Sequence, residues 1–237
     1  MSAIASVLAM PDERLVAWVG GRAELFESLP AEVRRFDPRV RASASFFDRV
    51  RALDHRGWAD PLGRVRPSWV FYDCALVPGA LFGFALSDPS GELVPVSLVA
   101  LIPTLGGPEL VQSLAALELP DLAEEVLAIR TLRAAILALD VHELLAAIPW
   151  RSPFMARFLA IAPLRVHTAW TPAHDEPRTV TFSLATRTSE PRASEGQRQD
   201  LDDAALAALQ ADIEAGASVT IVARDDRPNI IITRGGQ

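Results

Sequence analysis

The chain contains no lysine; all 23 of its basic side chains are arginine. That excludes a Schiff-base lysine, a P-loop lysine and a kinase-type phosphate lysine, and with them those enzyme classes. It has one cysteine, Cys74, which excludes an internal disulfide framework and a cysteine-rich zinc site. No apolar run approaches the ~18–20 residues of a transmembrane helix, so no membrane span is expected. The opening MSAIASVLAMPDER has neither a basic start nor a convincing cleavage site and reads as mature protein. The four histidines, His55, His142, His167 and His174, show no HxH, HExxH or His/Cys spacing, so no metal site is expected. GxSxG, P-loop and GxGxxG are also missing. A soluble, cytoplasmic protein is the plain expectation.

What is present is a chain of 237 residues, half of them apolar, long enough to bury a substantial core. The net charge of −7 is unevenly spread: residues 34–66 hold nine Arg against four Asp, a segment of +5, so the remainder is −12. A basic segment of this kind can meet an acidic partner or the acidic rest of its own chain. Arg34, Arg35, Arg41, Arg49 and Arg51 are the candidate partner-binding residues, for a protein partner or for self-association. Nucleic acid is not expected, because the whole is acidic and no base-stacking pattern appears.

The stretch Ser68–Ile102 organises the reading. Its three apolar runs are separated by Pro78-Gly79 and by Asp88-Pro89-Ser90-Gly91, which reads as a three-strand antiparallel meander. Ala80 to Leu86 is apolar throughout, so it needs cover on both faces. Pro95 cannot donate a ladder hydrogen bond, which favours an edge or a bulge there.

Before the meander the pattern predicts helices. Pro11-Asp12-Glu13 opens one along Leu15, Val16, Trp18 and Val19. Val40, Ala44, Phe46, Phe47, Val50 and Leu53 mark another over 38–54. After it, Pro108-Glu109 starts a helix to about 118. An amphipathic pattern covers 121–148, and a short helix lies within 149–163. LRVHTAW and RTVTFSL alternate as a hairpin, with Leu164, Val166 and Trp170 on one face. The fold class expected is α+β, with mixed α/β possible. It has a helical N-terminal third, an antiparallel meander core, central helices and a C-terminal βα addition. Residues 1–185 are expected as the main domain, 186–200 as a polar linker, and 201–237 as a docked helix-strand-strand element.

Candidate chemistry is sparse. Asp73 lies on an otherwise apolar strand face and needs a partner. Tyr72 and His167 complete the weak catalytic set; His167 shares its polar face with Arg165. The absence of a catalytic pair, a standard cofactor loop or a metal cluster favours a non-catalytic binding or assembly protein acting through protein–protein contacts. The expectation leans away from an enzyme, with no cofactor. A second class competes with it. Helices, a meander, a glycine-containing loop and then a helix resemble the order in acyl-CoA-dependent N-acyltransferases. GFAL (83–86) and GEL (91–93) are loosely similar too. The resemblance implies that the loop after the meander holds the CoA pyrophosphate on backbone N–H groups at a helix start. Here that would be Thr104, Gly106 and Gly107, in a loop with adjacent glycines and no basic residue. A third reading is a small-molecule-binding regulatory domain with a pocket under Trp69 and Phe71.

Overall fold

A computed structural model describes residues 13–21, 29, 31–57, 80–105, 107–116, 123–149, 152, 154–170, 179–185, 197–200, 203–224 and 227–233. The chain divides into two compact units, Met1–Val141 and His142–Gln237.

The first unit is a mixed sheet clasped by two helices. Its strands are β1 (Leu15–Gly20), β2 (Arg34–Phe36), β3 (Ala80–Ser87), β4 (Leu93–Pro95), β5 (Ser97–Thr104) and β6 (Gly107–Ala115). They lie in the order β6-β5-β3-β1-β2, with β4 beside the end of β3. β1 and β2 are parallel and the other pairs antiparallel. Helix α1 (Ala44–Gly57) buries Phe46, Phe47, Val50 and Leu53 against Trp18, Leu81, Leu98 and Ala100. Each such side chain removed from water contributes about 1.5–3 kcal/mol. Helix α2 (Glu124–Ala138) packs on β3, β5 and β6, and its Thr131 reaches Ser97, which alternates with Leu98 and so faces the other way. β3 is thus covered on both faces, as its unbroken apolar run demands.

This arrangement corrects the expected α+β class with a helical N-terminal third and a meander over 68–102. Leu15–Gly20 is a strand. Its run of apolar residues, with Trp18 and Val19 fully buried, satisfies helical spacing and a doubly buried strand equally well. The expected helix after Pro108 is strand β6, which pairs with β5 from Ser97↔Ala115 to Thr104↔Gly107. Pro103 and Pro108 face each other at the closed end, where neither has a ladder N–H to lose. The first expected meander strand, 68–77, lies outside the described residues.

A bulge sets the geometry between β3 and β4–β5. Phe82 pairs with Val99 and Ala85 with Pro95, so Gly83 and Phe84 face three residues, Val96 to Leu98. Ser97 repairs the break: its Oγ accepts from the Phe84 N–H at 2.9 Å and lies 2.8 Å from Thr131 Oγ1, which donates to the Leu127 carbonyl at 2.7 Å. Ser97 and Thr131 are fully buried, and this chain of bonds satisfies them while tying α2 to the sheet. Gly83 is what lets the strands close. A Cβ there would stand 2.0 Å from the Ser97 carbonyl and 2.8 Å from the Trp18 ring.

The β3–β4 turn is built by Asp88, whose Oδ1 accepts from the Ser90 N–H, the Ser90 hydroxyl and the Glu92 N–H. The Ser90 hydroxyl first, then the Glu92 amide, hold this carboxyl below the usual range. Gly91 follows at φ 82°, the left-handed region that a glycine enters freely.

The second unit is an antiparallel sheet in the order β10-β12-β11-β8-β9-β7. Its strands are β7 (Glu143–Pro149), β8 (Leu164–Trp170), β9 (Thr179–Ala185), β10 (Gln197–Asp200), β11 (Ser218–Arg224) and β12 (Arg227–Thr233). Helices α3 (Phe154–Leu159) and α4 (Asp203–Glu214) accompany it. β7 occupies part of the expected 121–148 helix. That helix stops because Asp140 turns left-handed at φ 52°, and the Val141 N–H closes back on the Ile136 carbonyl. Phe158 packs edge-on against Phe182, with centroids 5.1 Å apart. The segment read as a linker contributes β10, which pairs with β12.

Gly83→Ala should cost at least about 3 kcal/mol, because backbone and a buried indole both stand in the way. Urea unfolding measures it. An unchanged midpoint would refute the close approach at Gly83.

Candidate functional site

Two places bear on chemistry, one in each unit. In the first unit the loop singled out by sequence is a hairpin turn. Thr104 and Gly107 are paired residues, the Thr104 hydroxyl donates to the Gly107 carbonyl at 2.5 Å, and Gly107 sits at φ 126°. This turn joins strand to strand and opens no helix. The connection that leaves the antiparallel strands β3, β5 and β6 for a helix is the next one, 116–123, which leads from β6 into α2. β6 carries a bulge at Val111, since Ala100 pairs with Gln112 and Leu101 with Leu110. Ala123 is the N-cap of α2, with no side-chain cap bond. The first amides of a helix lack an i−4 carbonyl, so such an end attracts anions. Glu124 and Glu125, both exposed, already occupy that first turn.

The second place is on β8 and β9. Val166 pairs with Phe182 and Thr168 with Thr181, leaving His167 as the extra residue of a bulge. Its Nε2 lies 2.8 Å from Ser183 Oγ. Ser183 is 1% exposed and His167 half-buried. Arg165 is directly opposite Ser183, and Glu143 stands on β7, the neighbour of β9 on its other side. Partial burial, and then Arg165, push the imidazole below its ordinary 6.5, against a smaller upward pull from Glu143. The ring is therefore neutral near pH 7. The bulge also flips the alternation beyond it. Ala169, 1% exposed, takes the buried position on Val166's face, and Trp170 pairs with Thr179 instead. Past Val166 the partner strand β11 no longer pairs, and the Ala169 N–H donates to Gln210 Oε1 of α4 at 2.9 Å.

Of the sequence candidates, Tyr72, Asp73 and Gly106 lie outside the described residues. His167 is brought to a polar partner, and Thr104 and Gly107 only to each other. Among the arginines, Arg49 is bound inward: its Nη1 donates to the Leu93 carbonyl at 2.9 Å and its Nη2 pairs with Glu92. Arg35 donates to the Leu29 carbonyl at 3.2 Å. Arg34, Arg41 and Arg51 are exposed. Ser183 and Glu143 were missed by sequence reasoning. The signal for Ser183 was available in the polar alternation Thr179, Thr181, Ser183 facing Arg165 and His167. Among the described residues no group of three His, Cys, Asp or Glu is placed to hold a metal. None of their helices is long and apolar enough to cross a membrane.

No family model matches the chain, and no curated protein is significantly similar to it. Solved structures do show similarity. The ribosomal-protein-S18-alanine N-acetyltransferase from Escherichia coli aligns over 63% of this chain and 93% of its own, with a TM-score of 0.44 and 12% identity. A GNAT-family acetyltransferase from Bacillus anthracis covers 74% of this chain and 97% of its own, at 0.38 and 13%. A protein assigned to the acyl-CoA N-acyltransferases, from Klebsiella pneumoniae, covers 60% and 90%, at 0.36 and 18%. These names are those of N-acyltransferases and stand against the expectation of a non-catalytic binding or assembly protein. The pocket expected under Trp69 and Phe71 lies outside the described residues.

Because His167 has a folded pKa below 6.5, the unfolded chain holds more protons between the two values. Its contribution to stability is complete above pH 6.5 and lost as pH falls toward the folded value. His167→Gln should therefore lose less stability than the wild type between about pH 7.5 and about pH 5.5. Urea midpoints at the two pH values check this; equal losses in both proteins would refute it.

Proposed function

We propose that the chain is an N-acyltransferase-like enzyme that moves an acyl group from a thioester to an amine. The observation that carries this reading is the meander β3–β5–β6 delivering the chain, across 116–123, to the N-terminus of α2. That is the connection at which the acyltransferase resemblance places carrier binding, displaced from the glycine loop to the next crossing. In such a reaction the amine nitrogen attacks the thioester carbonyl, the C–S bond breaks, and the amine proton leaves with the thiol or to a base. A cytoplasmic location goes with this reading, in keeping with a single cysteine.

CoA is the carrier that the resemblance implies, and the residues at the start of α2 do not fit its diphosphate. Residues 116–125 contain Glu118, Asp121, Glu124 and Glu125 and no arginine. Carboxylates at a helix N-terminus take for themselves the partial positive charge that a phosphate would use.

Thermal shift with acetyl-CoA and with S-acetylpantetheine, a thioester lacking the diphosphate, tests the proposal by linkage. A dose-dependent rise with either supports it, and no rise with both overturns it. The double variant Glu124→Gln/Glu125→Gln should bind acetyl-CoA about threefold or more tightly than the wild type, from two carboxylates at a helix start. Unchanged affinity would show that the diphosphate does not approach α2.

A further inference from the structure

We propose that His167 presents Nδ1–H outward as a hydrogen-bond donor and, with Arg165, forms a receiving pair for a carboxylate or a developing oxyanion. Ser183 determines the tautomer. Its hydroxyl is 1% exposed, and His167 Nε2 at 2.8 Å is the side-chain partner found for it. A buried hydroxyl hydrogen needs an acceptor. Only an unprotonated Nε2 can provide one, so Ser183 donates and the ring proton of the neutral imidazole resides on Nδ1. Nδ1, the nitrogen that does not meet Ser183, is then a donor, and the lone pair that would make His167 a base is engaged by Ser183.

The surroundings fit the same role. The bulge frees His167 from pairing with β9 and sets it beside Thr168 on the face shared by Arg165 and Ser183. Arg165 is exposed, so its guanidinium is available to an incoming oxygen. Glu143, across β9, is the opposing charge and acts on His167 more weakly than Arg165 does. A neutral imidazole donor costs no proton transfer when negative charge develops on an oxygen, and fixed donors of this kind stabilise such charge strongly. Neither the tautomer nor the receiving pair depends on the acyl-transfer reading.

The test is a two-bond proton–nitrogen NMR spectrum of the full chain labelled with nitrogen-15 in histidine, with His167 assigned by its loss in His167→Gln. The expected wild-type pattern is the Nδ1–H tautomer, moving toward Nε2–H in Ser183→Ala. Titration with acetate should shift the Nδ1 resonance, about tenfold less tightly in Arg165→Gln, as for loss of a charge-assisted bond. A wild-type Nε2–H pattern would overturn the proposal and leave Nδ1 as a base. An Nδ1–H pattern that acetate leaves unmoved would overturn the receiving pair. Both readouts are taken without substrate, so their failure is distinct from failure of the thioester binding test.

Discussion

The first unit depends on how closely two strands approach at Gly83. The Ser97 carbonyl occupies the space in which any other residue would carry a Cβ, and the Trp18 ring closes it from the side. Three consequences meet there. The bulge lets Val96 to Leu98 pass two residues of β3; Ser97 Oγ takes over the Phe84 amide; and Thr131 anchors α2 to the same atom. Trp18 gives up a partner for its Nε1–H among the described residues to fill this position. An unmet indole donor costs about 1–3 kcal/mol, which the burial of so large a ring offsets.

Part of the charge on this unit is paired within it. Arg49 spans from α1 to the β3–β4 turn, binding a carbonyl with one nitrogen and Glu92 with another, and Arg39 holds Asp37. A lysine could bind one of the Arg49 acceptors but has no planar fork for both. The Arg-rich segment thus partly fastens its own loops, which its composition alone could not distinguish from a surface awaiting a partner.

Legibility followed locality. Helix α1 was visible because Phe46, Phe47, Val50 and Leu53 repeat at helical spacing over a polar face. The β8–β9 hairpin was visible because its alternation is local. β1 was hidden because Leu15, Val16, Trp18 and Val19 suit a helix face and a doubly buried strand alike, and only β3 decides. β6 was hidden because Pro108-Glu109 is a good helix opening, while its true partner is fixed by a turn whose glycine takes a positive φ. The strand β7 was absorbed into a long helix because nothing in Leu-Asp-Val announces that Asp140 will turn left-handed. At the candidate site, His167 was legible as a polar residue on a strand. Its role was not, since it depends on which of two nitrogens faces a hydroxyl sixteen residues away.

The bulge at His167 also has a genetic meaning. The register is shifted by a single residue, with Val166 against Phe182 before it and Thr168 against Thr181 after it. Removing the one codon for His167 would restore an unbroken ladder on both sides while deleting the imidazole and releasing Ser183. The polar site and the irregularity that holds it are therefore one heritable unit, gained or lost in a single in-frame step, with neither flank of the strand obliged to change.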